Sequence, residues 1–595
     1  MFQTFEATTS PDQGPPRLAA LRAEMAKAGL DGFLVPRADA HQGEYVAPHD
    51  ARLAWLTGFT GSAGFCATLS DIAAVFIDGR YRLQVVDQVA PDFTPVHWPE
   101  VQLADWLRSQ VPDGSKVGFD PWLHTVNGIR QLKKSLGDTD IEVVPSDNLV
   151  DMIWDDQPDP PTEPFAAYPV EMAGETHEDK RARLAKDLQA PTIITLPDSI
   201  AWLLNIRGTD IERNPVPHAF AIFHPDASVD LFAVPGKADG IVDHLGSDIR
   251  LHSQSTFLKH ISNLAGELAL DPKSCPAVVA TTAVDAGLVI HHVDDPCVLP
   301  KACKNETEIA GSRAAHLRDG AAMVRFLAWL DAEAPKGTLT EIDVVRQLEQ
   351  FRRETNQLLD VSFETISGAG ENGAIVHYRV TEETNRAVRP DELLLIDSGG
   401  QYIDGTTDIT RTVIVGTPSD LHRNCFTRVL QGMIAISRAR FPKGVQGQHL
   451  DALARFPLWT AGMDYDHGTG HGVGSYLSVH EGPQSLSRRG TVELRKGMIL
   501  SNEPGYYRTG EFGIRIENLI ATRPAAQIEG ADDREMLDFE TLTYVPIDRQ
   551  LIDVTLMSTD ELGWINSYHA DTLCKIGPLV DGAALDWLTA ACAPL

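Results

Sequence analysis

The sequence predicts a mixed α/β (α+β) protein of several domains. Three features predict it. A helix–strand unit near the N-terminus recurs after a proline-rich stretch. A long amphipathic helix opens near residue 304, and the chain from about 360 to 530 is rich in Gly, Thr and short β-type runs. The 595 residues are 43% hydrophobic and 23% charged, an ordinary globular composition with material for three or four domains of roughly 150 residues.

The first unit is PPRLAALRAEMAKAGLDGFLV (15–35). Leu18, Leu21 and Met25 fall at helical spacing, Gly29 suits the helix end, and Gly32 to Val35 reads as a strand. TLSDIAAVFIDGRYR reads as a strand hairpin, and this domain ends near 150. DDQPDPPTEPFAAYP (155–169) has the composition of a linker. The pattern then restarts with a helix in EDKRARLAKDLQ and a strand in TIITL. LAWLTGFTGS (53–62) matches IAWLLNIRGTD (200–210), each at a similar distance after its helix–strand unit. Two copies of one domain type follow. The long helix begins at Lys304-Asn305-Glu306 and runs to about Ala332. A second follows, with Thr338 and Glu341 as its expected capping box.

Composition excludes some functions. A formal net charge of -32 disfavours nucleic acid and anionic membrane as partners, since both require basic patches. Seven scattered cysteines without a CxxC read as reduced, mostly buried thiols. The N-terminus lacks the basic-then-apolar pattern of a signal peptide, and no apolar run approaches the ~20 residues that span a bilayer. The expectation is a cytoplasmic protein.

Chemistry concentrates in four stretches. LLLIDSGGQYIDGTTDITRT (393–412) carries Asp397 at the end of an apolar strand and Asp408 at the head of a second; a hairpin brings the two carboxylates together. DHGTGHGVGSYLSVHEGP (466–483) holds His467, His471 and His480 among five glycines. MILSNEPGYY supplies Glu503 before a Pro-Gly turn. In FGIRIENLI, Phe512, Ile514 and Ile516 share one face, while Arg515 and Glu517 share the other. Aspartates capping turns and an exposed Arg515–Glu517 pair would explain each piece alone. Together, four carboxylates at strand ends repel one another unless protonated or joined by cations. Oxygen ligands with one imidazole suit Mn²⁺, Co²⁺, Fe²⁺ or Zn²⁺, and aminopeptidases are among the enzymes with two metals about 3.5–4 Å apart.

The order Asp397, Asp408, His471, Glu503, Glu517 resembles the ligand set of the pita-bread metallopeptidases. GFTGSAG (58–64), DGRYRLQ (78–84), IAWLLNIRG (200–208), VHYR (376–379), HGTGHGVGSYLSVHEGP and SNEPGYY resemble the long, three-domain cytosolic type of the Xaa-Pro aminopeptidases over nearly the whole chain. The resemblance implies a creatinase-like domain at 1–154, a second at 160–302, a pita-bread domain at 303–535 and a C-terminal extension at 536–595 serving dimerisation. It implies two divalent ions, Mn²⁺ first and Zn²⁺ or Co²⁺ as alternatives. Asp397 would chelate one, His471 and Glu503 the other, and Asp408 and Glu517 both. His377, His467 and His480 would line the substrate site, Glu503 would also shuttle a proton, and Arg515 would orient Glu517.

The activity so implied is removal of the first residue from short peptides with proline second, by attack of a metal-activated hydroxide on the Xaa-Pro amide. A homodimer is expected with it, also from apolar runs such as LGWIN near the C-terminus. A prolidase cleaving Xaa-Pro dipeptides would share the metal set. A non-catalytic peptide- or histone-binding module of the fold would have lost it, and creatine-type amidinohydrolases lack it.

Overall fold

The structure is a computed structural model describing residues 1–595. The chain forms two compact units, one of residues 8–298 and one of residues 1–7 with 299–595. No helix is long and apolar enough to cross a membrane.

The 8–298 unit contains the same sheet twice. The first runs in the order Phe93–His97, Ala73–Ile77, Phe65–Leu69, Gly32–Pro36, Lys116–Phe119, Glu142–Pro145. The second runs Ile249–Ser253, Val229–Ala233, Phe220–Phe223, Thr192–Ile194, Glu267–Leu270, Val289–His292. In each, three central antiparallel strands are flanked by strands added in parallel, with matching pairing at every position. The repeat seen in sequence falls on equivalent helices, Arg52–Thr57 and Pro197–Leu203. The helix Gly14–Ala28 buries Leu18, Leu21 and Met25 and ends on Gly29 at φ 67°, the left-handed conformation glycine adopts freely.

In the other unit, helix α1 (Glu306–Glu333) starts at Asn305 with a capping box to Glu308. Helix α2 (Glu341–Arg353) is capped by Thr340 and Asp343, two residues after the expected pair. Strand β1 (Ile366–Ala369) pairs with β2 (Glu392–Ser398), which pairs with β3 (Ile409–Val415). Helices α3 (Asp420–Ser437) and α4 (Gly447–Trp459) follow. A six-stranded sheet then includes β4 (Gly470–Gly472), β5 (Glu481–Leu486), β6 (Ile499–Asn502) and, beyond the short hairpin β7 (Gly505–Arg508) and β8 (Phe512–Arg515), strand β9 (Asn518–Pro524). Apolar residues of β2 and β3, including Leu394, Ile396 and Ile409, pack against Met323, Phe326 and Leu327 of α1.

Two segments depart from expectation. Residues 1–7 belong with this unit instead of the first sheet: Phe2 N donates to Glu349 Oε1 (2.9 Å), Gln3 bridges the backbone of Thr365, and Phe5 is buried with Ile342 and Tyr378. The run LGWIN lies on helix α5 (Thr559–Ile576) and serves the interior of the unit; Ile565 is fully buried and Trp564 stacks on Tyr568 at 5.2 Å.

Candidate metal centre and substrate site

Strand pairing assembles the acidic cluster. Asp397 on β2 sits opposite Thr410 on β3, so Asp408, at the head of β3, comes to the same end of the hairpin. Glu517 lies between β8 and β9, where the strand breaks; its N–H donates to Thr410 O (3.1 Å), and its Oε2 accepts from Thr410 Oγ1 (2.8 Å). His471 sits at a register shift in β4. The glycines beside it are required by close approach: a Cβ at Gly470 would stand 1.9 Å from Ser501 O, and one at Gly472 would stand 2.1 Å from Glu481 O.

His471 Nδ1 lies 2.9 Å from Gly472 O, so the ring proton sits there and Nε2 faces the acids. That nitrogen is 3.5 Å from Asp408 Oδ2 and 3.3 Å from Glu503 Oε1. Ser501 Oγ accepts from His471 N and donates to Glu503 Oε1, each at 2.9 Å, fixing both. Ligand atoms of Asp408, His471 and Glu517 all lie within 4.8 Å of one another.

Electrostatics give the test of fit. Asp397 Oδ1, Asp408 Oδ1 and Glu517 Oε1 are buried without a hydrogen-bond partner, a costly state for oxygens that carry charge. Burial raises the Asp397 carboxyl above its ordinary range despite Arg515, with Asp408 adding to the rise. Burial likewise raises Glu503, against the lowering pull of His471 and Arg515. Glu517 is pushed well above, by burial and then by Asp408, Glu503 and Asp397. Burial would lower the His471 pKa, but Asp408 and Glu503 outweigh it and hold it up at about 9. Acids driven toward protonation, oxygens without donors and one imidazole aimed among them are what divalent cations would resolve. The residues present fit such ions.

Arg515 departs from its expected role. It is buried, and its Nη2 donates to Asp397 Oδ2 (2.6 Å) and not to Glu517. Its Nε reaches Thr410 Oγ1 (3.2 Å), so the two groups meet only through that hydroxyl. Its Nη1 donates to Tyr507 OH (2.6 Å) and to Val376 O (3.3 Å). The phenol, accepting from Arg515, donates to His467 Nε2 (2.8 Å), while His467 Nδ1 is 2.7 Å from Gly468 O. Arg515 thus ties Asp397, His467 and the residue before His377 into one network. His480 packs edge-on against His471, ring centroids 4.3 Å apart. His377 is framed by Val376 and by Tyr378, whose hydroxyl donates to buried Glu341 (2.9 Å).

Sequence reasoning missed Tyr507 and Thr410, although both stand in stretches it singled out. It also missed Arg411. This fully buried guanidinium has no carboxylate partner, and burial lowers its pKa. It donates to Glu517 O (2.6 Å), Thr410 O (2.9 Å), Asn518 Oδ1 (2.8 Å), Val545 O (2.7 Å), Pro546 O (3.1 Å) and Tyr568 OH (2.9 Å). The segment after 540 therefore braces the acidic cluster from behind.

The chain belongs to metallopeptidase family M24, whose model matches residues 310–524. Creatinase/prolidase N-terminal domain models match residues 17–153 and 156–308, and the C-terminal region of peptidase M24 matches 535–595. Aminopeptidase P2 of Arabidopsis thaliana is 40% identical, covering 94% of this chain and 85% of that one. A probable Xaa-Pro aminopeptidase P of Aspergillus fumigatus is 40% identical, covering 97% and 92%. Among solved structures, the X-prolyl aminopeptidase of Caenorhabditis elegans, described as a cytosolic enzyme with a di-nuclear active site, superposes with a TM-score of 0.93 at 34% identity, covering 98% of this chain and 99% of that one.

Proposed function

We propose that the chain is a metal-dependent Xaa-Pro aminopeptidase, removing the N-terminal residue from short peptides with proline in second position. The observation that carries this is the approach of His471 Nε2 to Asp408 and Glu503, beside buried Asp397, Asp408 and Glu517 oxygens that have no donor, in a chain with near-full-length relatives named probable Xaa-Pro aminopeptidase P. Two divalent ions are the best reading of the donor set, with Asp397, Asp408, His471, Glu503 and Glu517 as their ligands and manganese as the first choice. When bound, such ions supply Lewis acidity and water ionised near neutral pH.

The chain's own residues do the rest. Glu503 takes up the proton released by the attacking water and delivers it toward the departing proline nitrogen. His377 and His480 steady the carbonyl oxygen as charge develops on it. His467, its tautomer set by Tyr507 and Gly468, supplies a flat wall for the pyrrolidine ring. Arg515 orients Asp397 and neutralises part of the acidic charge. Proline has no amide N–H and a fixed φ, so this site needs a ring pocket and a proton source in place of an acceptor for that N–H.

A cytoplasmic location and a homodimer go with this reading. The location draws support from the description of the Caenorhabditis elegans enzyme as cytosolic and from seven cysteines, none of which forms a disulfide. The test is cleavage of Arg-Pro-Pro by purified protein before chelation, after it, and after return of Mn²⁺. Activity that vanishes and returns supports the reading; full activity in metal-free protein refutes it.

A further inference from the structure

One buried ionic group stands outside the acidic cluster. Lys301 Nζ lies 2.9 Å from Glu481 Oε2, and Lys304 Nζ bonds Glu481 Oε1. The side chains of Lys301, Lys304 and Glu481 are 2%, 1% and 0% exposed, so two ammonium groups converge on one carboxylate away from solvent. Apolar residues of similar size would serve packing better, because desolvating charges costs more than their attraction returns. A buried ionic group of this kind calls for a role other than stability.

Its position supplies one. Glu481 directly follows His480 and pairs with Gly472, the residue after His471, across the shifted β4–β5 ladder. The loop 473–480 closes over the Glu481 carboxylate: Gly474 N donates to Ser478 O (2.9 Å), and a Cβ on Gly474 would stand 3.1 Å from Glu481 Oε2. The segment carrying Lys304 is itself anchored. Lys304 N donates to Gly497 O (3.0 Å), and Cys303 bridges to Met498 at the head of β6. Two ammonium groups therefore hold the carboxylate, and the carboxylate holds the peptide that carries His480.

We infer that Lys301 and Lys304 are positioning residues, which through Glu481 fix the His480 ring against His471 for work on the substrate carbonyl. This rests on the aminopeptidase reading for the role of His480, but the positioning itself does not.

Lys304→Met keeps the aliphatic stem and leaves Lys301 against Glu481; Lys301→Met is the mirror variant and serves if the first fails to fold. Each is compared with wild type for kcat and KM on Arg-Pro-Pro, metal content, thermal midpoint and crystal structure. The inference expects kcat to fall about tenfold or more with KM changed less than about threefold and metal content unchanged, and the His471–His480 ring separation to open from 4.3 Å. A folded variant with wild-type kcat and an unmoved His480 overturns it, whatever its thermal midpoint. Wild-type protein that fails to cleave Arg-Pro-Pro refutes the aminopeptidase reading alone, and the ring position in the variant crystal then decides the positioning.

Discussion

Tyr568→Phe isolates the brace behind the acidic cluster. The hydroxyl accepts from Arg411 Nη2 (2.9 Å) and from Val545 N (3.2 Å), and is 2.9 Å from Val545 O, to which it donates. Phenylalanine keeps the ring and its stacking on Trp564, so the loss is confined to hydrogen bonds. Arg411 Nη2 retains Asn518 Oδ1 and Val545 O, while the Val545 N–H is left without a partner. Losing one hydrogen bond from a charged donor and orphaning one buried amide amounts to about 2–3 kcal/mol after those retained bonds relax. The change is local, and a chain with two compact units need not unfold in one step. Amide hydrogen exchange reads it directly. Peptides spanning 515–520 and 543–548 should exchange roughly 30- to 150-fold faster, with little change in the 8–298 unit. Because Arg411 also holds the Glu517 carbonyl, metal affinity should fall about tenfold or more. Exchange within about threefold of wild type at both segments would refute the brace.

Asp408→Ala should abolish turnover and lower metal content, read by elemental analysis; retained metals with full activity would contradict its place between the acids. His480→Ala should lower kcat about a hundredfold with metal content unchanged, whereas metal loss would make it a ligand. Chelation should destabilise the protein more at pH 8 than at pH 6. Asp397, Glu503 and Glu517 are raised in the folded chain and His471 is raised to about 9, so the metal-free folded state binds more protons than the unfolded one. This cluster's contribution is then fullest at low pH and is lost as pH rises toward 9, and equal destabilisation by chelator at the two pH values in paired thermal scans would show that the acids are not so crowded. The homodimer should sediment at twice the chain mass, and a monomer at micromolar concentration would dismiss it.

The duplicated sheet was legible because its signals are local: a helix–strand unit, a linker and a short repeated string. The acids were legible because each ends or begins an apolar run. What sequence did not reveal are pairings across long separations. Alternation put Arg515 and Glu517 on one face, but the strand breaks after Arg515 and the guanidinium turns to Asp397, 118 residues away. Lys304 and Glu481 are 177 residues apart. The capping box of α2 was ambiguous because Thr338 and Thr340 each precede an acid by three residues, and only the backbone selects the second. Residues 1–7 carry no periodic pattern, and their place comes from hydrogen bonds to Glu349 on α2 and to Thr365 just before β1.

Specificity for proline behind the first residue is decided by kcat/KM for Arg-Pro-Pro, Arg-Ala-Pro and Arg-Pro on the manganese-loaded protein. Arginine should be released rapidly from Arg-Pro-Pro, little from Arg-Ala-Pro, and more slowly from the dipeptide, which lacks binding energy beyond the ring. Equal rates on the first two would contradict the specificity, and a preference for Arg-Pro would make the chain a dipeptidase.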